Sequence, residues 1–172
     1  MCPPQDSTFS LADALTQEHR EIDASIEEFV AGAKQARHLD EIVPPLNRAM
    51  TALRRHIYLE EEFVFPPVQQ AGLMMPVLVM LREHGELWRA MDALEEELAG
   101  YGDQEPGDEA MQDLIGRCHE MLDLQDRHNS KEEPIIYPHA DTDVDAQTHQ
   151  DLQEFMRSGA MPNGWVCEKA AG

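Results

Sequence analysis

The sequence has few of the residues that build covalent or thiolate frameworks. Its 172 residues include three cysteines, Cys2, Cys118 and Cys167, at scattered positions without a Cys-x2-Cys pair. This pattern argues against a disulfide framework, a zinc ribbon or a thiolate cluster, and it favours a reducing compartment. The chain also lacks an apolar run long enough to span a bilayer, and residues 1–5 lack the basic and apolar regions of a signal peptide. We therefore expect a cytoplasmic location and no membrane partner.

Basic residues are scarce as well. Thirteen lysines and arginines stand against 34 aspartates and glutamates, which gives a formal net charge of -21. A field of this sign repels nucleic acid and anionic lipid surfaces, so we expect neither as a partner. Strand signals are also missing, because no sustained alternation of apolar and polar residues is bounded by hairpin turns. A chain of this length can bury a core as one domain.

The sequence does show helical periodicity over most of its length. Ser10 is a candidate N-cap, and apolar residues then recur at spacings of three and four up to a stop near Gly32. A second helix, with Asp40 as its cap, is expected to end at Pro66 and Pro67, because proline interrupts a helix interior. The first half of the chain is therefore predicted to be a pair of amphipathic helices.

The second half of the chain has the same organisation. A third helix is predicted from about Pro76 to Gly100, and a fourth helix extends to about Pro138 after a loop rich in glycine, aspartate and proline. A shorter amphipathic segment and a less regular tail follow, and Trp165 is expected to pack onto the helices. The prediction is an all-α fold, an up-down-up-down four-helix bundle with a short C-terminal extra helix and tail.

A motif at the end of the second helix recurs at the end of the fourth. The residues from His56 to Pro66 align without a gap with those from His128 to Pro138, as His-x3-Glu-Glu-x-apolar-apolar-aromatic-Pro. A histidine and a glutamate four residues apart on a helix lie about 40° apart around the axis and about 6 Å along it. Both side chains of each pair can therefore reach one point in space.

A shorter repeat relates the first and third helices. Glu18-His19 and Glu83-His84 both begin the pattern Glu-His-x-Glu-apolar. Each half of the chain thus contributes one helix with a single inward histidine and one helix with a His-x3-Glu pair. In a four-helix bundle these two sets meet at mid-height.

Six residues with metal-ligand chemistry occupy positions where the helical periodicity calls for apolar core residues. They are His19, His56, Glu60, His84, His128 and Glu132. Buried carboxylates without a partner cost several kcal/mol each or become protonated, and no lysine or arginine lies on these helix faces to neutralise them. The pattern therefore predicts a metal site whose nitrogen and oxygen donors suit iron or manganese, with zinc as a competitor, better than copper(I) or calcium. Two metals bridged by the glutamates would keep coordination positions for a small ligand.

The order His, His-x3-Glu, His, His-x3-Glu, with aromatic-Pro after the second and fourth elements, resembles the bacterial hemerythrin-like or HHE cation-binding domains. The resemblance covers roughly residues 11–138 and implies a non-haem di-iron centre with carboxylate and oxo or hydroxo bridges. It implies that His19 and His56 hold one iron and that His84 and His128 hold the other, with the two glutamates as bridges. The expected domain is a single one, residues 1–172, with its bundle core at about 10–138 and a C-terminal extension at 139–172.

The sequence departs from the oxygen-carrying members of this family. Those members typically present His-x3-His on the third helix, whereas Trp88 occupies the fourth position after His84 here, and their last motif is usually His-x4-Asp rather than His-x3-Glu. One nitrogen donor fewer disfavours reversible oxygen storage and favours redox turnover or sensing. Relatives that repair iron-sulfur clusters usually carry paired cysteines before the first helix, where this chain has only Cys2.

Three functions remain open from the sequence. The first is a protein that binds oxygen or nitric oxide for sensing or scavenging, which would act through a protein partner where a signal is required. The second is an enzyme that consumes hydrogen peroxide or nitric oxide at an open iron position. The third is iron storage or buffering, with metal binding coupled to folding.

Several residues near the two motifs are expected to support the metal ligands or to lie on the surface. Glu18 and Glu83 are candidate acceptors for imidazole N–H groups of neighbouring helices. Glu61 and Glu133 are expected to be surface charges, because they lie about 100° around the helix from the bridging positions. Gln125, one turn before the last histidine, is a candidate hydrogen-bond donor to a ligand or bridge.

The remaining residues are expected to be structural or solvated. Trp88 is expected to pack in the core and to help define the ligand pocket. The four histidines outside the motifs are expected to be solvated, and they are His38, His119, His139 and His149.

Overall fold

The computed structural model describes residues 9–35 and 37–172, whose regular structure is entirely helical. In chain order the elements are α1 (Leu11–Lys34), α2 (Leu39–Leu59), a π-helical turn (Glu60–Val64), α3 (Phe65–Gln70), α4 (Met74–Tyr101), α5 (Asp108–Ile135), α6 (Tyr137–Ala140) and α7 (Ala146–Ser158). The all-α prediction is confirmed. The four long helices contact one another in the cyclic order α1, α2, α4, α5. The finer description, an up-down-up-down bundle, stays a prediction.

The start of α1 is held by side chains from two parts of the chain. Ser10 is the N-cap, as predicted, and its hydroxyl accepts a hydrogen bond from the Asp13 N–H. The carboxylate of Asp141, far along the chain, accepts the backbone N–H groups of Leu11 at 2.7 Å and Ala12 at 3.1 Å. These bonds satisfy N–H groups that have no partner within the helix.

The prediction for the start of α2 was wrong by two residues and in its cap. The helix begins at Leu39 after an N-cap residue, His38, that makes no side-chain capping bond. The Leu39 N–H instead donates to the Glu105 carboxylate at 3.0 Å, so the cap comes from a distant loop. Asp40 lies in the first turn, where its charge complements the helix dipole.

The prediction that Pro66 and Pro67 end the second helical segment was also wrong. A π-helical turn at Glu60–Val64 shifts the hydrogen-bond register, and a new helix, α3, then runs to Gln70. Both prolines fall in the first turn of α3, where a missing N–H breaks no intrahelical bond. In the second copy of the motif, α5 ends at Ile135 and α6 begins at Tyr137, so the fourth helix stops short of Pro138.

Two apolar clusters lie on either side of a polar layer, which is made of the buried motif histidines and glutamates. One cluster contains Ile22 and Leu87, and the other contains Leu15 and Met80. His19 lies between Leu15 and Ile22 on α1, and the other three motif histidines likewise fall between residues of the two clusters. The motif side chains are therefore held inside the fold, away from bulk water, as the core-position interpretation requires.

The C-terminal tail packs against α4 and the π-helical turn. The Trp165 ring contacts the rings of Tyr58 and Trp88, which confirms the prediction that this tryptophan packs onto the helices. Gly85 permits the close approach of the tail, because a Cβ there would overlap the backbone oxygen of Lys169. The tail thus covers the segment next to the motif histidine of α4.

No helix within residues 9–35 and 37–172 is both long and apolar enough to cross a membrane. The chain start considered above, including Cys2, lies outside the described residues.

Candidate metal centre

The six residues singled out in the sequence come together in the polar layer. They form two groups whose donor atoms lie within 4.8 Å of one another, namely His19, His56, Glu60 and Glu132, and Glu60, His84, His128 and Glu132. All six residues are buried, and both glutamates are 0% exposed. The two groups share both glutamates, which is the arrangement that two bridging carboxylates require.

Each glutamate contacts a histidine of each half of the chain. Within the motifs, His56 Nε2 lies 2.9 Å from Glu60 Oε1, and His128 Nε2 lies 3.1 Å from Glu132 Oε2. Across the halves, His84 Nε2 lies 3.2 Å from Glu60 Oε2 and His19 Nε2 lies 3.3 Å from Glu132 Oε2. The helical spacing of four residues therefore brings each pair together, and helix packing adds the third partner.

The Nδ1 atom of every motif histidine, which faces away from the shared glutamates, forms a hydrogen bond with a carboxylate. The glutamate before each single histidine serves the neighbouring helix of its own half: His56 Nδ1 donates to Glu18 at 2.6 Å, and His128 Nδ1 donates to Glu83 at 3.0 Å. The prediction that Glu18 and Glu83 accept imidazole N–H groups is confirmed. Such bonds fix the ring orientation and the tautomer.

The second glutamates of the two motifs serve the opposite half of the chain. His84 Nδ1 donates to Glu61 at 2.9 Å, and His19 Nδ1 donates to Glu133 at 3.0 Å. The four bonds close a ring that runs from α1 to α2, from the π-helical turn after α2 to α4, then to α5 and back to α1. We call Glu18, Glu61, Glu83 and Glu133 the outer carboxylates.

Glu61 and Glu133 belong to neither donor group, as expected, but the expectation that Glu61 is a surface charge was wrong. The Glu61 side chain is 5% exposed, and its second oxygen accepts the Glu168 N–H of the tail at 2.9 Å. The Glu133 side chain is 37% exposed but bonds His19. A residue turned away from the metal-facing side of its own helix faces the next helix, and a single-helix projection does not include that neighbour.

Electrostatics in the polar layer favour charged groups despite burial. Burial alone would lower the pKa of His128, but Glu132 and Glu83 outweigh it and raise the pKa to about 10. Burial and the nearby Glu60 would raise the pKa of Glu132, but His128 and His19 lower it to about 2. The pKa of His56 is likewise raised well above its usual value, since Glu60 and Glu18 outweigh its burial. The raised pKa values of His56 and His128 favour protonated imidazoles beside the glutamates in the metal-free chain, and a metal would replace those protons.

The donor set fits a metal cation. Because each Nδ1–H donates to an outer carboxylate, a neutral ring turns the lone pair of Nε2 toward the shared glutamates. Within the described residues, Glu60 and Glu132 form ion pairs with histidines and with no lysine or arginine. His84 Nε2, Glu60 Oε2 and Glu132 Oε1 also have no hydrogen-bond partner there. Unpartnered buried donor atoms that point toward one another are what a metal would satisfy.

The sequence interpretation missed Tyr137. Its hydroxyl lies 2.6 Å from Glu60 Oε1 and 2.8 Å from His19 Nε2, and the side chain is fully buried. The residue occupies the aromatic position of the aromatic-Pro pair, which is otherwise a packing position. The signal that could have found it is the difference between the two motif copies, since the first copy has Phe65 at this place.

A small void lies next to the histidines, and the rest of its lining is made of three apolar side chains and two amide side chains. Besides the four motif histidines, it is lined by Leu53, Ile57, Leu87, Gln125 and Asn129. Gln125 is 1% exposed, and neither its amide nitrogen nor its oxygen has a hydrogen-bond partner within residues 9–35 and 37–172. Trp88 does not line this void; it packs in the apolar core, as expected, under the Arg54 guanidinium, and its role in a ligand pocket stays a prediction.

The four other histidines lie outside the polar layer. His38 and His119 are exposed, while His139 and His149 are partly buried and pair with Asp143 and Asp141. None of these four belongs to either donor group.

Comparisons with known proteins agree with the site. The family model described as "Hemerythrin HHE cation binding domain" matches residues 10–140. Searches of curated proteins and of solved structures gave no significant match. The family match and the two buried histidine and glutamate groups together indicate a metal-binding site. Because the match covers more than half of the chain, this protein belongs to the hemerythrin HHE cation-binding domain family.

Proposed function

We propose that the chain is a non-haem di-iron protein that binds or reacts with oxygen, nitric oxide or hydrogen peroxide in sensing, scavenging or stress defence. The observation that carries this proposal is the pair of four-donor groups with two shared glutamates. Two imidazoles and two carboxylates for each metal form the mixed nitrogen and oxygen set that suits iron. His19 and His56 would hold one iron, and His84 and His128 would hold the other.

Bound iron would supply redox chemistry and coordination positions for a small molecule. The residues of the chain orient the metal ligands and keep water away from the site. The outer carboxylates hold the imidazole rings in place, and the apolar clusters on both sides of the layer exclude water. A sensing role would add a protein partner that receives the signal.

The void beside the histidines supports a small ligand rather than an organic substrate. Its apolar walls include Leu53, Ile57 and Leu87, and the Gln125 amide has unused hydrogen-bonding capacity there. Only a ligand as small as a diatomic molecule or a peroxide suits so small a void, and the side chains around it would have to move to admit one. We infer that Gln125 donates a hydrogen bond to the bound ligand.

Iron content and ligand spectra test the proposal directly. Anaerobic reconstitution with ferrous iron is expected to load two irons per chain, and oxidation in the presence of azide is expected to produce charge-transfer bands. Fewer than two irons, together with no oxo-iron or azide bands, would contradict the di-iron assignment. Stopped-flow comparison of oxygen, nitric oxide and peroxide on the reduced protein then identifies the preferred ligand.

Replacement of Gln125 tests the ligand pocket separately from the metal. Gln125→Leu copies the equivalent position of the first motif, Leu53, and should retain both irons. Loss of one hydrogen bond, about 1 kcal/mol, should weaken azide or nitric oxide binding about fivefold. The matched control is Gln112→Leu, an exposed glutamine on the same helix. Equal ligand affinities in the two variants would remove Gln125 from the pocket.

Peroxide consumption is a second candidate function, and the unpartnered donor atoms of the His84 and His128 group favour it. Trp88 replaces the histidine that oxygen carriers present here, so this group offers one nitrogen fewer to its iron. Rapid catalytic oxygen evolution from hydrogen peroxide by the iron-loaded protein is the expected sign of this activity. Stoichiometric binding without turnover would exclude it.

A further inference from the structure

Tyr137 and Phe65 hold the same place in the two copies of the motif, yet only Tyr137 has a hydroxyl. Each ring stacks on the single histidine of the opposite half. The Tyr137 ring centroid lies 5.4 Å from that of His19, and the Phe65 centroid lies 5.3 Å from that of His84. Because the ring packing is the same in both halves, packing does not account for the hydroxyl.

The hydroxyl lies among the four donor atoms of one group. It is 2.8 Å from His19 Nε2, 3.1 Å from His56 Nε2, 2.6 Å from Glu60 Oε1 and 3.2 Å from Glu132 Oε2. The phenol oxygen is thus a fifth donor atom in this group. The group formed around His84 and His128 has no such oxygen among the described residues, because Phe65 occupies the matching position.

One hydroxyl proton cannot satisfy these surroundings. The Nδ1–H groups of His19 and His56 donate outward to Glu133 and Glu18, so neutral rings present only a lone pair at Nε2. The two carboxylate oxygens are also acceptors, and a phenol has a single hydrogen to donate. With neutral rings, these five electron-rich atoms share one proton, and such an arrangement is stabilised by a cation: protons on the imidazoles in the metal-free chain, or a metal that replaces them. Tyrosine oxygen is an established type of iron ligand in proteins.

We propose that the phenol oxygen of Tyr137 is a ligand of the iron held by His19 and His56. This inference rests on the proposed di-iron function. As the metal–oxygen bond forms, the phenol O–H bond breaks and its proton leaves to solvent. The iron at His19 and His56 therefore has one protein ligand more than its neighbour, and a small molecule binds at the iron held by His84 and His128.

The test is optical, because a tyrosine oxygen bound to ferric iron has its own spectroscopic signature. The full chain is loaded with ferrous iron and oxidised with ferricyanide. We expect a visible charge-transfer band and tyrosinate ring vibrations in the resonance Raman spectrum excited within that band. Tyr137→Phe should lose both signals and retain two irons, whereas the matched control Tyr58→Phe should keep both.

Each other outcome overturns the inference. Two irons without tyrosinate vibrations mean that Tyr137 is not a ligand, and so does a Tyr137→Phe protein that keeps the band. One iron in the wild-type chain and two in Tyr137→Phe mean that the phenol fills the metal position instead. If Tyr137→Phe does not fold, ring-deuterated tyrosine in the wild-type protein must shift the Raman bands, and Tyr101→Phe and Tyr58→Phe must retain them. A wild-type chain without iron overturns the di-iron function itself.

Discussion

The two halves of the polar layer have the same pattern of histidines and glutamates and differ at neighbouring positions. Each half provides two inward histidines, one shared glutamate and two outer carboxylates. The halves differ where Leu53 in the first is matched by Gln125 in the second, and where Phe65 is matched by Tyr137. The charged pairs determine that a metal can be held, because buried carboxylates need compensation. The two neutral differences would make the two proposed metal positions unequal in reactivity.

The helix starts of the two halves differ as well. The side chains of Ser10 and Asp141 accept N–H groups in the first turn of α1. The N-cap residue of α4, Leu73, makes no side-chain capping bond. The first half is therefore tied to the segment after α6, far along the chain, and α4 has no such side-chain cap. The repeat is symmetrical at its centre and asymmetrical at its ends.

The largest expected effect comes from a residue that both halves share. Glu60→Gln removes the charge that faces His56 and His84, so we expect the loss of both irons rather than one. Elemental analysis after reconstitution measures this, and circular dichroism checks that the helices remain. The matched control is Glu62→Gln, an exposed glutamate two residues away, which should keep the wild-type iron content. A Glu60→Gln protein with two irons would show that the halves do not share this carboxylate.

A smaller effect is expected when one outer carboxylate is neutralised. Glu61→Gln weakens the orientation of His84, and loss of such a partner typically lowers metal affinity by about 10- to 100-fold. Glu133→Gln should act on His19 and have the weaker effect, because the Glu133 side chain is 37% exposed and that of Glu61 is 5% exposed. Competition with a chelator gives both affinities. Two affinities equal to that of the wild-type protein would return these residues to the role of surface charges.

The smallest effect concerns the ends of the helices. Asp141→Ala removes the acceptor for the N–H groups of Leu11 and Ala12, and loss of such a cap costs about 1 kcal/mol in the free energy of unfolding. Burial would raise the pKa of Asp141, but the backbone N–H groups of Ala12 and Leu11 outweigh it and hold the pKa below its usual value. The stabilisation is therefore complete above the unfolded-state pKa of about 4 and is lost as the pH falls through the lower native pKa.

Urea unfolding of the wild-type and Asp141→Ala proteins at neutral and acidic pH measures this effect. The difference between their midpoints should be present at neutral pH and should shrink in acid. Asp151→Ala, a change at an exposed aspartate of α7, should match the wild-type protein throughout. A difference that is independent of pH would mean that the charge of Asp141 does not stabilise the start of α1.

Much of the fold and the six inner residues could be predicted from the sequence. Helical periodicity depends on local geometry, so His19 and the His56–Glu60 pair could each be assigned to the buried face of its own helical segment before any contact was known. The second copy of the motif, which begins at His128 and aligns without a gap, supported the same assignment independently. Boundaries were less predictable, because the cap of α2 comes from Glu105 and the two prolines after the π-helical turn begin a new helix instead of ending one.

The sequence by itself determined which donors are present, since residue type and spacing along one helix decide which side chains share a buried face. Only the tertiary structure decided which donors meet. Glu61 and Glu133 look solvated on their own helices and become imidazole partners because a neighbouring helix lies beside them. The hydroxyl of Tyr137 reaches His19 for the same reason. Contacts between helices depend on their relative placement, and spacing along one helix carries no information about that placement.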